Sequence, residues 1–484
     1  MTLYKRCLML ALALVLAALT VSADPATLLL LYTNDLHDYV GPGASHSGGL
    51  PYIAGYVATQ RAQRGDILLL DGGDVMEKGD MVAFKTRSRI TYEAMGRIGY
   101  DAGAVGNHDL PYGIEHLREC AALADMALLC LNHFDDSGAL AFPPSQVFEV
   151  NGIAVGVIGM TNIRGPFEVD AERLAAEARR LAPETHLLIV VAHIGSAENA
   201  RLSEVVPEVD IFVGGHTHEV LQEPRVVPET GALIVQAGQY AEYVGRLELV
   251  VDRDRGEIIR ADNTLVAMCH DAITPDQELL AWVREQEQRY CPEASEVVGR
   301  ASRFIPGVEV GRLAAAALRY KAQADIGFCH GEHIIRSGLF EGPVDVNMLF
   351  RTGGQRGRDL VRFAMTGRQV DAYIAGLMEE RRGRTEWAGF RAQLRFDGDA
   401  QAWTLESDLE PDQAYDVIMP RREWENRASR IASGNPLLES LDADTFKTVP
   451  FTFTDAMAAY TRQVVADTET LDAHIEALVE NRSL

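Results

Sequence analysis

The chain has 484 residues, which exceeds the usual size of a single domain, so we expect at least two domains. The formal net charge of −25 at pH 7 excludes a general affinity for nucleic acid polymers, because phosphate backbones bind to basic patches. Hydrophobic residues make up 47% of the chain, which is enough to bury substantial cores.

The first 23 residues have the parts of a secretion signal peptide. Lys5 and Arg6 form a short basic region, residues 7–19 are apolar, and small residues precede a cleavage site after Ala23. The apolar stretch is short for a membrane span, which needs around 20 residues, although a retained anchor is the alternative. We therefore expect export to a periplasm or the cell exterior, with no stable membrane span after cleavage.

Five short segments in the first half of the chain end in residues that commonly bind metals. Apolar runs at residues 28–31, 67–70, 187–191 and 211–213 precede most of them. This pattern predicts buried parallel strands whose loops meet at the carboxyl edge, where open α/β sheets build their sites. The candidate ligands are Asp35, His37, Asp74, Asn107, His193, His216 and His218.

The number of candidate ligands indicates the kind of metal centre. A single catalytic zinc takes about three protein ligands and a water, so seven candidates are too many for one ion. Two ions roughly 3.5–4 Å apart that share a bridging carboxylate would use all seven. Imidazole, carboxylate and amide groups favour zinc, manganese, iron or cobalt over calcium. Taken singly, each segment could instead be a turn, a helix cap or an exposed strand end.

At these residues, across roughly residues 28–250, the chain resembles the calcineurin-like metallophosphoesterases, and more narrowly the bacterial 5′-nucleotidase and UDP-sugar hydrolase family. The resemblance implies an α/β fold in which a four-layer metallophosphoesterase β-sandwich is flanked by helices. A smaller α+β substrate domain would follow it. By the same resemblance, Asp35, His37 and His218 would hold one metal, Asn107, His193 and His216 the other, and Asp74 would bridge them.

His108 matches the catalytic histidine of that family. Two cations would lower the pKa of a bridging water, and the resulting hydroxide would attack phosphorus in line. His108 would then stabilise the transition state or protonate the departing oxygen. In the family an Asp orients this histidine, but here Pro111 occupies its position and cannot accept the ring proton. We therefore expect an imidazole without its usual partner, which is a poorer acid.

The same resemblance and local sequence patterns predict how the domains are arranged along the chain. We expect the metallophosphoesterase domain at residues 25–268, a helical connector at 269–296 and a 5′-nucleotidase-like C-terminal domain at 297–484. Residues 232–236 and 245–252 should be antiparallel strands that close the first sheet. Five cysteines remain after cleavage, and Cys269 with Cys291 could form a brace near the connector.

The C-terminal segments that bind nucleotides in the family are altered in this chain. Arg336 closes a loop that otherwise keeps little of the family's glycine-rich pattern, and Arg351, Arg356 and Arg358 could also hold phosphate. Phe390 matches one of the two rings that clamp the base, and Trp424 could replace the other. Arg336 and Phe390 are therefore the candidate substrate-binding residues.

The leading hypothesis is an exported phosphoesterase with two metal ions that hydrolyses a small phosphorylated substrate, first of all a nucleotide or a related compound. One alternative is a thiosulfohydrolase-like enzyme of sulfur oxidation from the same superfamily. The other is a non-catalytic binding protein that retains its metals.

Overall fold

The computed structural model describes residues 25–42, 48–331, 334–355, 357–379, 385–397, 402–425, 435–441, 443–468 and 470–480. The predicted signal peptide lies outside these residues, and so does Arg356. Among the described residues no helix is long and apolar enough to cross a membrane. Cys269 and Cys291 are both free thiols, so the brace considered between them is not formed.

Two sheets, each of six strands within the described residues, form the centre of the N-terminal part. The first has the order β12-β11-β1-β2-β3-β4, and the second the order β5-β6-β7-β8-β10-β9. The strands are β1 (Pro25–Thr33), β2 (Leu68–Asp71), β3 (Ala102–Ala104), β4 (Ala127–Leu129), β5 (Ser145–Val150), β6 (Ile153–Met160), β7 (Leu187–Ala192), β8 (Ile211–Gly214), β9 (Arg225–Val226), β10 (Leu233–Val235), β11 (Tyr243–Asp252) and β12 (Glu257–Ala267).

Alternation along the strands produces the layers. In β1, Leu28 and Leu30 pack between the two sheets, together with Val155 and Ile189 of the second sheet. Leu29 and Leu31 face the helices on the other side, as the period of two requires. The helices that cover the outer faces are α1 (Gly49–Arg64), α2 (Met81–Thr86), α3 (Arg89–Ile98) and α4 (Ile114–Ala124) on the first sheet, and α5 (Phe167–Leu181) and α6 (Ser196–Val205) on the second. The expected four-layer α/β architecture is confirmed.

One strand expectation was wrong in part. β11 pairs antiparallel with β1, as predicted, but β10 belongs to the second sheet, where it pairs antiparallel with β9 and in parallel with β8. The strand β10 is short and apolar, and such a sequence does not distinguish a parallel from an antiparallel neighbour.

An α-helix followed by a short 3-10 turn, Pro292–Ser295, connects the sandwich to the C-terminal part. This helix, α7 (Gln277–Tyr290), begins at Asp276, whose side chain accepts a hydrogen bond from the backbone N–H of Leu279. Its buried residues Leu279 and Val283 pack in the same core as the helices on the first sheet. The connector is therefore anchored to the sandwich along one apolar stripe.

The C-terminal part is a smaller α+β unit. Its main sheet has the order β17-β14-β20-β16-β21 in the described residues, and β13 pairs with β15 and β18 with β19. The elements are β13 (Val297–Ala301), α8 (Gly307–Ala322), β14 (Ile326–His330), β15 (Gly342–Asp345), α9 (Val346–Leu349), β16 (Leu360–Thr366), α10 (Gly367–Glu379), β17 (Thr385–Ala388), β18 (Ala392–Asp397), β19 (Ala402–Ser407), β20 (Ala414–Pro420), α11 (Arg421–Glu423), α12 (Pro436–Glu439), β21 (Lys447–Thr448), α13 (Phe453–Thr468) and α14 (Leu471–Glu480).

Candidate metal centre

The loops that follow five parallel strands meet at one edge of the sandwich. Three of these strands, β1, β2 and β3, belong to the first sheet, and β7 and β8 belong to the second. Because these strands end at the same edge, residues far apart in sequence come together. The loops carry Asp35 and His37 after β1, Asp74 after β2, Asn107 after β3, His193 after β7, and His216 and His218 after β8.

The first group of side chains surrounds Asp35. Its Oδ1 lies 3.0 Å from Nε2 of His218 and 3.6 Å from Nε2 of His37. The two histidine Nε2 atoms are 3.4 Å apart. Three potential ligand atoms therefore face a common point, as the first metal position requires.

The second group surrounds Asp74. Its Oδ2 lies 3.1 Å from Nε2 of His193 and 3.8 Å from Nε2 of His37, so this carboxylate stands between the two groups. The ring of His216 is 5.3 Å from that of His193, and its Nδ1 lies 2.9 Å from Oδ1 of Asn107. All seven candidate ligands thus belong to one continuous cluster.

Two buried atoms in this cluster have no hydrogen-bond partner. Oδ1 of Asp35 and Nε2 of His193 are shielded from solvent, and no neighbour meets them with hydrogen-bond geometry. An unsatisfied buried polar group costs about 1–3 kcal/mol, more if it is charged. Bound cations would satisfy both atoms, so the donor set fits divalent metal ions.

The protonation of the cluster also suits a cation. Burial alone would raise the pKa of Asp35, but His218, His193 and His37 outweigh it and hold that pKa below its usual value. Burial, assisted by Lys78, lowers the pKa of His37 to about 3, so this ring is neutral as a ligand must be. Burial opposes protonation of His193, yet Asp74 raises its pKa to about 9. A metal ion would take the place of that proton.

Backbone carbonyls fix two of the imidazoles. Nδ1 of His37 lies 3.1 Å from the carbonyl oxygen of Met76, and Nδ1 of His193 lies 2.9 Å from that of Gly72. With Nδ1 occupied in this way, Nε2 is the atom presented to the cluster.

The ligand loops adopt left-handed backbone conformations at several ligands. Positive φ angles occur at Asp35 (52°), His37 (49°), Asp74 (60°), His216 (79°) and His218 (58°). Asp, Asn and His tolerate this region better than most side chains do, but each such residue needs support from its surroundings.

Glycine beside these residues allows the loops to approach each other. A Cβ atom on Gly106 would lie 2.1 Å from Oδ1 of Asp74, and one on Gly215 would lie 2.7 Å from Nδ1 of His193. These two positions admit only a residue without a side chain, which explains the glycines that precede Asn107 and His216.

His108 has a carboxylate partner that the sequence did not reveal. A carboxylate oxygen of Glu77 pairs with Nδ1 of His108. The backbone N–H of His108 donates to Oδ1 of Asp74 at 2.7 Å, which places the ring beside the ligand cluster. The expectation that Pro111 leaves this imidazole without a partner was therefore wrong, because the acid comes from another loop. The available signal was an acidic residue three positions after Asp74.

Lys78 is a second residue that sequence reasoning missed. Its Nζ lies 2.7 Å from Nε2 of His37. Burial lowers the pKa of Lys78 to about 8, even though the nearby Asp74 favours the charged form. The site thus carries an additional cationic side chain at the edge of the ligand cluster.

A cavity of about 220 Å³ lies between the N-terminal and C-terminal parts, next to Glu77 and Lys78. Glu77 and Lys78 line one side, and Arg336 and Arg422 of the C-terminal part line the other. Nε of Arg336 is buried without a hydrogen-bond partner. The predicted substrate residue Arg336 therefore lies where a substrate anion could meet it.

Phe390, the other predicted substrate residue, lies elsewhere. It lines a separate cavity of about 780 Å³ in the C-terminal part, and the two cavities share no lining residue. Its ring stacks on Trp387 at a centroid distance of 5.7 Å. Trp424 is buried against Phe363 at 5.4 Å and lines neither cavity, so it does not face Phe390 across a base-binding slot.

A two-sheet sandwich whose loops bring Asp, Asn and His side chains together is an arrangement that can bind divalent metal ions. Residues 28–220 match the Calcineurin-like phosphoesterase family model. The 5′-nucleotidase of Vibrio cholerae is 29% identical over 371 residues, which cover 62% of this chain and 66% of that relative.

Solved structures have the same fold over most of the chain. A 5′-nucleotidase precursor from Thermus thermophilus is similar with a TM-score of 0.69 and 22% identity, covering 91% of this chain and 97% of that one. The sulfate thiohydrolase SoxB of the same organism is similar with a TM-score of 0.67 and 16% identity, covering 90% and 94%. The chain spans 31% to 70% of the length of several curated relatives that it matches.

Proposed function

We propose that the protein is an exported phosphoesterase that uses two divalent metal ions to hydrolyse a phosphate ester of a nucleotide or a related small compound. The observation that carries this proposal is the convergence of seven side chains in one cluster, in which Oδ1 of Asp35 and Nε2 of His193 are buried without a hydrogen-bond partner. Bound zinc, manganese, iron or cobalt would activate water and neutralise charge on the phosphate oxygens.

The grouping of contacts supports the roles that the family resemblance implies. The short distances from Asp35 to His37 and His218 favour one metal position there. Asp74 stands between His37 and His193, which is the place of a bridging ligand. The proposed ligands are thus Asp35, His37 and His218 for one ion, Asn107, His193 and His216 for the other, and Asp74 for both.

We further propose that His108 acts on the departing oxygen and that Arg336 holds an anionic group of the substrate. The buried Nε of Arg336, which has no hydrogen-bond partner, supports this role, because an anion in the cavity would accept its hydrogen bond. For Phe390 to contact the same substrate, the substrate or the C-terminal part has to connect the two cavities.

Export and the domain division belong to the same proposal. Residues 1–23 would be removed as a signal peptide, and the chain would then divide into residues 25–268, 269–296 and 297–484. The end of β12 at Ala267 and the start of β13 at Val297 agree with these limits.

A product-release screen tests the proposal. Protein without residues 1–23 is loaded with manganese, zinc or cobalt and incubated with 5′-nucleotides, UDP-sugars and simple phosphate esters. We expect phosphate release that EDTA abolishes and that Asp74→Asn lowers about 100-fold or more. Asp66→Asn, which changes an exposed acid before β2, is the matched control and should leave the rate unchanged.

The outcomes separate the alternative functions. Sulfate release from a cysteine-linked thiosulfonate, without phosphate release from any ester, would favour the thiosulfohydrolase. Binding of two metal ions without release of either product would favour the non-catalytic binding protein. A protein that binds no divalent metal contradicts all three hypotheses.

A further inference from the structure

The carboxylate of Glu77 pairs with Nδ1 of His108, and we propose that Glu77 is the positioning residue of this histidine. The inference rests on the proposed function, in which His108 acts on the phosphate ester. Glu77 lies outside the histidine motif of the family, where Pro111 occupies the place of the orienting acid. The role has thus moved to the loop that follows β2.

The location of His108 indicates what the Glu77–His108 pair does. Its backbone N–H donates to Oδ1 of Asp74, and its ring lies 5.2 Å from that of His37 at an interplanar angle of 83°. A carboxylate at Nδ1 fixes the ring angle and keeps a proton on that nitrogen whether the imidazole is neutral or charged. Only Nε2 then exchanges a proton with the substrate.

Asp109, the acid next to His108 in sequence, is committed elsewhere. Its Oδ2 accepts the backbone N–H groups of Gly106 at 2.7 Å and Asp74 at 2.9 Å. Its Oδ1 accepts those of Val75 at 2.8 Å and Met76 at 3.0 Å. With four amide donors on two oxygens, Asp109 holds the loop and leaves the imidazole to Glu77.

The backbone around Glu77 is fixed from both sides, which distinguishes the pair from a chance surface contact. The N–H of Glu77 itself donates to Oδ2 of the buried Asp38 at 2.8 Å. The N–H of the next residue, Lys78, donates to Oε1 of Gln355 at 2.7 Å. Glu77 also has a φ of 66°, a conformation that these contacts stabilise.

The pair has a defined place in the reaction. Hydrolysis forms a bond from the water oxygen to phosphorus and breaks the ester P–O bond. The departing oxygen takes a proton from Nε2 of His108, and the proton lost by the attacking water restores the imidazolium. An oriented Nε2 matters most when the leaving oxygen is strongly basic, because such an oxygen leaves poorly without a proton.

A leaving-group comparison tests the role. Glu77→Met should lower kcat about 10- to 100-fold for an alkyl phosphate, with KM nearly unchanged. For 4-nitrophenyl phosphate, whose phenolate leaves without a proton, the loss should stay within about 3-fold. Glu77→Asp and Glu77→Gln should recover part of the alkyl phosphate rate. Glu115→Gln, on a side chain that is 81% exposed, is the control and should leave kcat unchanged for both substrates.

A second readout does not depend on turnover. Nitrogen-detected NMR of the His108 ring, assigned by comparison with His108→Gln, should show the proton on Nδ1 in the metal-loaded wild type. In Glu77→Met the ring should move toward the Nε2–H tautomer while two metal ions stay bound. An unchanged tautomer, or equal kcat losses for both esters, would overturn the proposal. If the wild type hydrolyses no ester, the proposed function fails, and the tautomer measurement still decides the role of Glu77.

Discussion

At the scale of single residues, Asp109 holds the ligand loops together through its carboxylate. One buried carboxylate satisfies four backbone donors from two loops, those that carry Asp74 and Asn107. No other side chain of similar size offers two oxygens with this acceptor capacity, so the geometry of both ligand loops depends on it.

We expect Asp109→Ala to destabilise the fold by about 3 kcal/mol or more, because four buried N–H groups lose their acceptor. The metal content should fall below that of the wild type as the loops relax. Asp109→Asn keeps one acceptor oxygen, so its stability and metal content should lie between those of Asp109→Ala and the wild type. Denaturant unfolding and elemental analysis measure the effects. Equal stability of Asp109→Ala and the wild type would contradict the assignment.

Pro111 gives a prediction that follows from the Glu77–His108 pair. Because the imidazole already has a carboxylate partner, Pro111→Asp should change kcat for an alkyl phosphate by no more than about 3-fold. Steady-state kinetics on the metal-loaded protein measure this. A gain of about ten-fold or more would show that Glu77 does not orient the ring.

At the scale of elements, the sequence predicts well that the candidate ligands come together, because each follows a buried strand. The runs at residues 187–191 and 211–213 became β7 and β8, and their loops deliver His193 and His216. Glu77 and Lys78 were not predictable in the same way. Their positions depend on left-handed backbone and on Asp38 and Gln355, which no local pattern connects to them.

The substrate residues show the same limit on the C-terminal side. Arg336 was predicted from a loop motif, and it lines the cavity between the two parts. Phe390 was assigned from a partial match, but its ring packs against Trp387, and that cavity lies apart from the one that Arg336 lines. Which cavity an aromatic ring enters is decided by tertiary packing, which a short motif does not encode.

The sandwich itself depends on a close contact between β1 and β11. Gly245 lies directly opposite Tyr32, and a Cβ atom on this glycine would fall 1.9 Å from the tyrosine ring. The ring is fully buried, and its hydroxyl donates to Asn263 at 3.0 Å.

Gly245→Ala should therefore lower the free energy of unfolding by about 1–3 kcal/mol, because the tyrosine has to leave its position in a packed core. Chemical denaturation measures the loss. Gly165→Ala, at an exposed glycine with no heavy atom within 4 Å of the added Cβ, is the matched control and should be neutral. If both variants unfold at the same denaturant concentration, the steric argument is wrong.

At the scale of the whole molecule, a buried ion pair joins the two parts of the chain. The guanidinium of Arg351 binds Asp80 and lies 4.7 Å above the ring of Tyr39. Asp80 also accepts hydrogen bonds from the side chain of Asn347 at 2.7 Å and from the backbone N–H of Gly41 at 2.7 Å. Both charged side chains are almost completely buried.

Removal of one partner of this ion pair should lower the free energy of unfolding far more than removal of both. Arg351→Met leaves the buried Asp80 uncompensated and should cost about 3–5 kcal/mol, whereas Arg351→Met with Asp80→Asn should recover part of that loss. Denaturant titration of the single and double variants gives the coupling energy. Arg255→Met, at an exposed arginine of the sandwich that lies 3.8 Å from Asp252, is the control. Simple additivity of the Arg351 and Asp80 changes would contradict a direct pair.

The hydrogen bond from the N–H of Lys78 to Gln355 joins the turn that carries Glu77 to the C-terminal part. Gln355 belongs to the C-terminal part, whereas Lys78 immediately follows the residue that orients His108. Any hinge motion that draws the halves apart breaks this bond and frees the turn on which Glu77 sits. Separation of the halves to exchange product for substrate would therefore remove one of the two backbone contacts that fix Glu77, and docking would restore it.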